Sequence, residues 1–340
     1  MPRAFVTGGT GFVGVHLVHA LVAQGWNVTL AHRPQSSLKD LAGLDIAYVV
    51  ADITDPSAAL RSMPDRPDVV FHLAAHVGFW RARNAEQTRV NVDGTRHVVR
   101  AALAKRAARF VHVSSVAAWG PGGSDVIDER SAIRTSRHWI NYSRTKWLSE
   151  LEVDEGVAQG LHAAIVNPSH IMGPGDRRNW GRLFAMAKRA RIVAAPKATA
   201  PWCHVGDVVD SLLAAAEHGR RGQRYLLGGP NVSYHEVLRL IRERIGRAPP
   251  AHVPGWLLRT AAQLAEATGF VQGTEPSLTP ELASIWSTTF HVDDQRARRE
   301  LGHRCRPFEA TVDDTFRWLD AESLALQAAC GVDGAFTALR

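Results

Sequence analysis

Tyr142 and Lys146 stand four residues apart in the run Tyr142-Ser143-Arg144-Thr145-Lys146, a spacing that puts both on one face of a helix. A phenol with a free pKa of about 10 gives up its proton at neutral pH only with help. A neighbouring ammonium favours the phenolate and makes that proton transferable, so the pair suits general acid/base work. Ser114 and Ser115 close an apolar run, where an open α/β sheet gathers its ligands. A serine hydroxyl there can hydrogen-bond a substrate oxygen as charge develops on it. Each signal is weak alone, because chance Tyr-x-x-x-Lys pairs and strand-end serines are common. Their combination is what carries weight.

A third pattern concerns an anionic ligand. In Thr7-Gly8-Gly9-Thr10-Gly11-Phe12-Val13-Gly14 three glycines, Gly8, Gly11 and Gly14, are spaced three apart, between a short apolar run and an apolar helix. A tight turn, a backbone bare of side chains and close helix–strand packing are what a pyrophosphate at a helix N-terminus requires. The run therefore predicts a dinucleotide site that includes Thr10, Phe12 and Val13. An NAD site usually carries an acid at the end of the second strand, to bind the adenosine ribose. Here that place reads Ala31-His32-Arg33. Arg33 can bind a 2′-phosphate and stack on adenine, which favours NADP(H) over NAD(H). Asp52-Ile53, after the third strand, can flank the adenine, although an acid in a loop is more often a turn residue.

These residues need a frame. Strand-like runs at Ala4–Thr7, Asn27–Ala31, Ile46–Val50, Val69–Leu73, Phe110–Ser114 and Ala163–Val166 alternate with helical stretches at Gly11–Gln24, Glu86–Lys105 and Ser143–Gln159. Such alternation implies right-handed crossovers and an α/β fold with a doubly wound parallel sheet. After Pro168 the pattern changes. Asn179–Ala190 reads as a short helix, Pro196–Pro201 as loop, and Ser233–Ile245 as a helix opened by a capping box from Ser233 to Glu236. Leu257–Ala267 reads as an amphipathic helix. The expected organisation is a Rossmann domain over 1–168, to which 203–230 partly returns, a smaller substrate-binding lobe over 169–202 and 231–320, and a tail over 321–340.

Composition excludes several classes. The 340 residues, 45% hydrophobic and 21% charged, can bury a sizeable core and are not those of a disordered chain. No apolar run reaches about 18 residues, and no signal-peptide layout follows Met1, so no membrane span and a cytoplasmic location are expected. The net charge of +7 comes mainly from dispersed arginines in short groups, which argues against nucleic acid as a partner. Cys203, Cys305 and Cys330 form neither a disulfide framework nor a metal pattern.

Taken in order, these motifs resemble the extended short-chain dehydrogenase/reductase superfamily over about residues 3 to 320. The resemblance includes the glycine turn, Asp52-Ile53-Thr54-Asp55, His72-Leu73-Ala74-Ala75, Asn91-Val92-Asp93-Gly94-Thr95 and Val113-Ser114-Ser115. It continues through Tyr142 to Lys146, Pro168 with Gly173-Pro174-Gly175, His204-Val205-Gly206-Asp207-Val208, and Ala297 to Gly302. It implies Tyr142 as general acid/base, Lys146 as its partner and Ser115 as donor to the substrate oxygen. Ser115 is chosen over Ser114 because the family's hydroxyl lies five residues before the glycine matched by Gly120. It also implies that Leu73, Ala74, Ala75 and Pro168 line the cofactor, that Asn91 braces the sheet, and that Glu86–Lys105 and Ser143–Gln159 form a homodimer interface.

Departures from the family pattern narrow the substrate. Ala200-Pro201-Trp202 replaces the Arg-Asp-Phe run with which nucleotide-sugar members grip a diphosphate, and Val116-Ala117 replaces the two acids of the sugar dehydratases. Trp119 stands where tyrosine is usual, and Asn167 where arginine is usual. What remains is similar to the dihydroflavonol-reductase-like and 3-hydroxysteroid-dehydrogenase-like branch, whose substrate lobe is apolar. Phe79, Trp80, Met172, Trp180, Trp202 and the stripe from Trp256 to Leu264 are candidates to line such a pocket. The expected activity is NADPH-dependent reduction of a ketone or aldehyde on an apolar small molecule. A sugar or nucleotide-sugar epimerase, an NAD-dependent sterol-like dehydrogenase and a non-enzymatic NADP-binding regulator are the alternatives.

Overall fold

The computed structural model describes residues 1–120, 126–133, 139–178, 180–188 and 194–330. Seven parallel strands form the main sheet: β1 (Arg3–Thr7), β2 (Asn27–His32), β3 (Ala47–Val50), β4 (Val69–His72), β5 (Arg109–Val113), β6 (Ala163–Pro168) and, further on, Arg224–Leu227. β4 and β6 are buried along their whole length, as strands covered on both faces by crossover helices must be. One face carries α1 (Phe12–Ala23) and the other carries α2 (Gly94–Ala104) and α3 (Asn141–Ala158).

Two short strands outside this sheet follow, β7 (His170–Met172) and β8 (Thr199–His204), and Arg224–Leu227 is then β9. The order across the main sheet is β9-β6-β5-β4-β1-β2-β3. The order in which strands are added reverses between β1 and β4, and the crevice at the carboxyl ends of these strands is where such sheets bind ligands.

The remaining elements form a second core. β8 pairs in parallel with β7 and antiparallel with β10 (Asn231–Ser233). α4 (Val205–His218) returns to the main sheet, packing on β5 and β6. α5 (Tyr234–Arg244) packs with the short helix Arg182–Lys188 over Met172, Phe184 and Trp202. α6 (Gly255–Gln272) and α7 (Pro280–Trp286) pack together, and α8 (Gln295–Leu301) and α9 (Phe308–Cys330) close the chain.

Several sequence expectations need correction. Pro196–Pro201 is not all loop, because Thr199–Pro201 belongs to β8, where Pro201 pairs with Asn231 beside a short partner strand. A proline inside a strand hides it from a reading by residue type. The helix expected over Glu86–Lys105 begins at Asn84 and is widened to a π turn at Arg89–Asp93 before α2. Of the helix expected over Asn179–Ala190, Arg182–Lys188 is helical, while 179, 189 and 190 lie outside the described residues, as do 331–340 of the tail. Ser233 caps α5 by accepting from the Glu236 amide at 3.0 Å, but the Glu236 carboxylate turns to Arg239 instead of back to the cap. α6 is turned opposite to its expected role. It buries Ala262, Glu266 and Gly269, and leaves Trp256 64% and Leu264 68% exposed.

Candidate active site

β5 delivers Ser114 and Ser115 to the carboxyl edge of the sheet. Ser115 caps the short 3-10 turn Val116–Trp119, its Oγ accepting from the Ala117 amide at 3.1 Å. α3 crosses nearby and sets the Tyr142 hydroxyl beside Ser115. Burial pushes the phenol up to about 12, against the opposing effect of the serine hydroxyl. The tyrosine is therefore protonated at neutral pH. One helical turn on, Lys146 is 3% exposed and donates to the Val113 carbonyl at 2.8 Å. Burial draws its ammonium down to about 8, while the Glu150 carboxylate one turn further opposes that fall.

Glu150 was not singled out from the sequence, and it anchors the back of the site. It is wholly buried and accepts from Ser114 Oγ at 2.5 Å, Asn167 Nδ2 at 2.6 Å and Arg224 Nε at 2.7 Å. Asn167 also donates to the Ser115 carbonyl at 3.2 Å, which ties β6 to the serine loop. The signal was available, since Tyr142, Lys146 and Glu150 repeat at four residues along one helix face.

Behind Lys146 two buried histidines stack, His72 on β4 and His112 on β5, with ring centroids 5.2 Å apart. Burial and the lysine charge hold both neutral, with His72 down at about 3. The tautomer of His72 follows from its partners. Thr95 donates its proton to the Asn91 carbonyl, so His72 Nε2 donates to Thr95 Oγ1 at 2.9 Å and Nδ1 accepts from Thr7 Oγ1 at 2.7 Å. Asn91, in the π turn, accepts from the His76 amide at 2.7 Å and donates to Thr145 Oγ1 at 3.0 Å. It joins the loop after β4 to α3 and so braces the approach to Tyr142.

The glycine turn has the shape its spacing required. Gly8 has φ +76, and a Cβ there would lie 2.4 Å from the Ala74 amide nitrogen. A Cβ on Gly14 would lie 2.2 Å from the Gly8 carbonyl oxygen. Gly11 is exposed, and α1 begins there with no side-chain cap and no acid in its first turn. Thr10, Phe12 and Val13 line this half-buried turn, with Leu73, Ala74 and Ala75 beside it after β4, and Pro168 ends β6 fully buried. Arg33 is exposed just beyond β2, with no acid paired to it among the described residues. Asp52 instead closes its own turn, accepting from the Thr54 amide and hydroxyl at 2.9 Å, and Ile53 is buried against Gly94.

The pocket candidates divide. The Phe79 ring meets Tyr142 edge-on with centroids 5.5 Å apart, and Trp80 reaches the α6 residue Phe270 at 6.1 Å. Met172 and Trp202 are core residues with 0% and 1% exposure, so neither offers a wall to a ligand. Trp180 lies in an aromatic cluster with His170, Trp202, Tyr234 and Trp286.

Comparison with known proteins accords with this geometry. Residues 4–228 match the model of the NAD dependent epimerase/dehydratase family. The chain belongs to that family. It is 32% identical to a putative dihydroflavonol 4-reductase of Synechocystis sp., over 92% of this chain and 93% of that protein. It is also 32% identical to 4-hydroxy-2-methyl-3-oxo-4-farnesyl-3,4-dihydroquinoline-1-oxide ketoreductase of Stigmatella aurantiaca, over 89% and 92%. The crystal structure of gox2253 superposes with a TM-score of 0.81 at 29% identity, covering 95% of this chain and 99% of that one. The protein is thus an extended short-chain dehydrogenase/reductase and an NAD(P)-dependent oxidoreductase. Its uncapped helix and side-chain-free turn fit the pyrophosphate of such a cofactor. Among the described residues, no helix is long and apolar enough to cross a membrane.

Proposed function

We propose that this protein is an NADPH-dependent reductase of a ketone or aldehyde on an apolar small molecule. The observation that carries the reading is the Tyr142–Ser115 hydroxyl pair, with an apolar ring, Phe79, packed against it. The glycine turn would hold NADPH, which would supply the hydride for the carbonyl carbon. Ser115 orients the carbonyl oxygen, and Tyr142 gives it the proton as negative charge develops there. A tyrosine protonated at neutral pH suits this direction, since the reverse reaction would require the phenolate. Lys146, with one donor spent on Val113, has two left for the nicotinamide ribose and for the phenolate that remains after proton transfer.

Arg33 supports the preference for the 2′-phosphate, being exposed and free of an acidic partner among the described residues. Phe79 and Trp80 are the pocket residues of this proposal. A homodimer through α2 and α3 and the division into cofactor domain and substrate lobe belong to it as well. The test is parallel titration of nucleotide-free protein with NADPH and NADH. A tenfold or greater preference for NADPH, about 1.4 kcal/mol, that disappears in Arg33→Ser is expected. Protein that purifies loaded with NAD and ignores NADPH would displace the reading in favour of an epimerase.

A further inference from the structure

A group of ligating side chains gathers past the carboxyl end of β9, the edge strand of the main sheet. Asp294 precedes α8 at its N-terminus, and its side chain makes no hydrogen bond to the helix amides. At the other end of that helix Gly302 adopts φ +65, and the chain turns back so that the His303 amide bonds the Ala297 carbonyl. This return brings His303 Nε2 and Cys305 Sγ to 3.2 Å from each other. It also brings them to 3.7 Å and 3.8 Å, respectively, from Asp294 Oδ2. The Gly228 carbonyl, just past β9, lies 3.2 Å from Nε2 and 3.5 Å from Sγ. A side chain at 228 would intrude, since its Cβ would stand 2.9 Å from Asp294 Oδ2.

The proton count makes this arrangement informative. Ser211 spends its hydroxyl proton on the Asp207 carbonyl at 2.8 Å, so it can only accept from His303 Nδ1, 2.8 Å away. His303 is 3% exposed, and with its proton on Nδ1 toward Ser211 the ring presents a lone pair at Nε2. Nε2, Asp294 Oδ2 and the Gly228 carbonyl oxygen are then three acceptors gathered around one thiol. Arg298 donates to Oδ2 and the Cys203 thiol to the Gly228 carbonyl, which leaves the Cys305 thiol, 3.2 Å away, facing Nε2. A cation among the four atoms would take a lone pair from each of them.

The dimensions agree. With bonds of about 2.0–2.1 Å to N and O and about 2.3 Å to S, a tetrahedral zinc site has donor–donor edges of about 3.3–3.6 Å. Five of the six separations among these four atoms run from 3.2 to 3.8 Å. The surroundings are also those of a metal site. Ser211 holds the second nitrogen of the histidine, and Arg298 grips both oxygens of Asp294 at 2.6 and 2.9 Å. The same guanidinium lies 3.5 Å from Cys305 Sγ.

We propose that Asp294 Oδ2, His303 Nε2 and Cys305 Sγ, with the Gly228 carbonyl, form a tetrahedral site for a divalent ion of the zinc class. Binding forms the metal–sulfur bond and releases the thiol proton to solvent, with no change of oxidation state. The ion would join the end of β9 to both ends of α8, which is a structural role separate from hydride transfer.

The probe is Co2+, added to full-length protein stripped with a chelator. One equivalent is expected to give a thiolate-to-cobalt charge-transfer band in the near ultraviolet and tetrahedral visible bands, both displaced by Zn2+. Cys305→Ser should lose the charge-transfer band, Cys203→Ser should keep it, and His303→Ala should weaken Co2+ binding at least tenfold. Retained NADPH binding in each variant shows that it has folded. Absence of the band in the wild type, its survival in Cys305→Ser, or its removal by Cys203→Ser would overturn the proposal.

Discussion

Carbonyl reduction by this protein should fall as pH rises through about 8. The group responsible is Lys146, whose ammonium burial draws down to about 8, while Tyr142 at about 12 stays protonated throughout the range. If the charged lysine is needed to stabilise the tyrosinate left by proton transfer, the rate follows its protonated fraction. That fraction drops from roughly nine-tenths at pH 7 to roughly one-tenth at pH 9, about a tenfold loss. Glu150 opposes the depression of Lys146, so Glu150→Gln should move the falling limb to lower pH and leave the acid plateau largely in place. The variant keeps a polar group for Ser114 and Asn167, and Arg224 retains Asp154 at 2.6 Å. The assay is initial-rate NADPH oxidation with a reactive aromatic aldehyde from about pH 5.5 to 10. A wild-type profile with no fall near 8 refutes the role given to Lys146. A Glu150→Gln profile scaled down equally at every pH would make Glu150 merely structural.

Two further outcomes follow from the same structure. Burial raises Glu281, in the first turn of α7, to about 7 against its ordinary 4.5, with Glu266 adding to the rise. The folded protein therefore holds this proton more tightly than the unfolded chain, and stability is lost as pH rises from about 4.5 to 7, by about 3 kcal/mol. Glu281→Gln should raise the melting temperature at pH 8 and leave it nearly unchanged at pH 4.5, as read by thermal unfolding; equal shifts at both would be inconsistent with this. Gly14→Ala places a methyl 2.2 Å from the Gly8 carbonyl oxygen, so the turn must move by roughly 1 Å. NADPH binding should weaken by tenfold or more in a calorimetric titration, and unchanged affinity would show that the turn yields without cost.

Much of the fold was legible because a doubly wound sheet writes itself as alternating strand and helix runs, and five of its strands fall within a residue or so of the expected bounds. α4 begins within the motif His204 to Val208, whose residues mark the family more plainly than they mark a helix. β8 was obscured by Pro201, and the π turn at Arg89–Asp93 has no periodic signature. At the candidate site, Tyr142, Lys146 and Ser115 stand out in the sequence because the chemistry proposed for them restricts residue type and spacing. Glu150 and Arg224 were not singled out, and Asn167 stood out only as a departure from the family pattern, since their association is long-range and arises once β6 and β9 lie beside α3. Met172 and Trp202 show the converse limit, because an apolar residue reads alike whether it faces a ligand or the core.

The most direct test compares wild type with Tyr142→Phe in single-turnover NADPH oxidation across a panel of apolar ketones and aldehydes. Loss of the proton donor should slow hydride transfer by roughly a hundredfold or more, with NADPH affinity unchanged. Turnover of a carbonyl at wild-type rate by Tyr142→Phe would contradict the assignment of Tyr142. Inertness of the wild type toward every carbonyl, with epimerisation of a nucleotide sugar, would contradict the proposed activity itself.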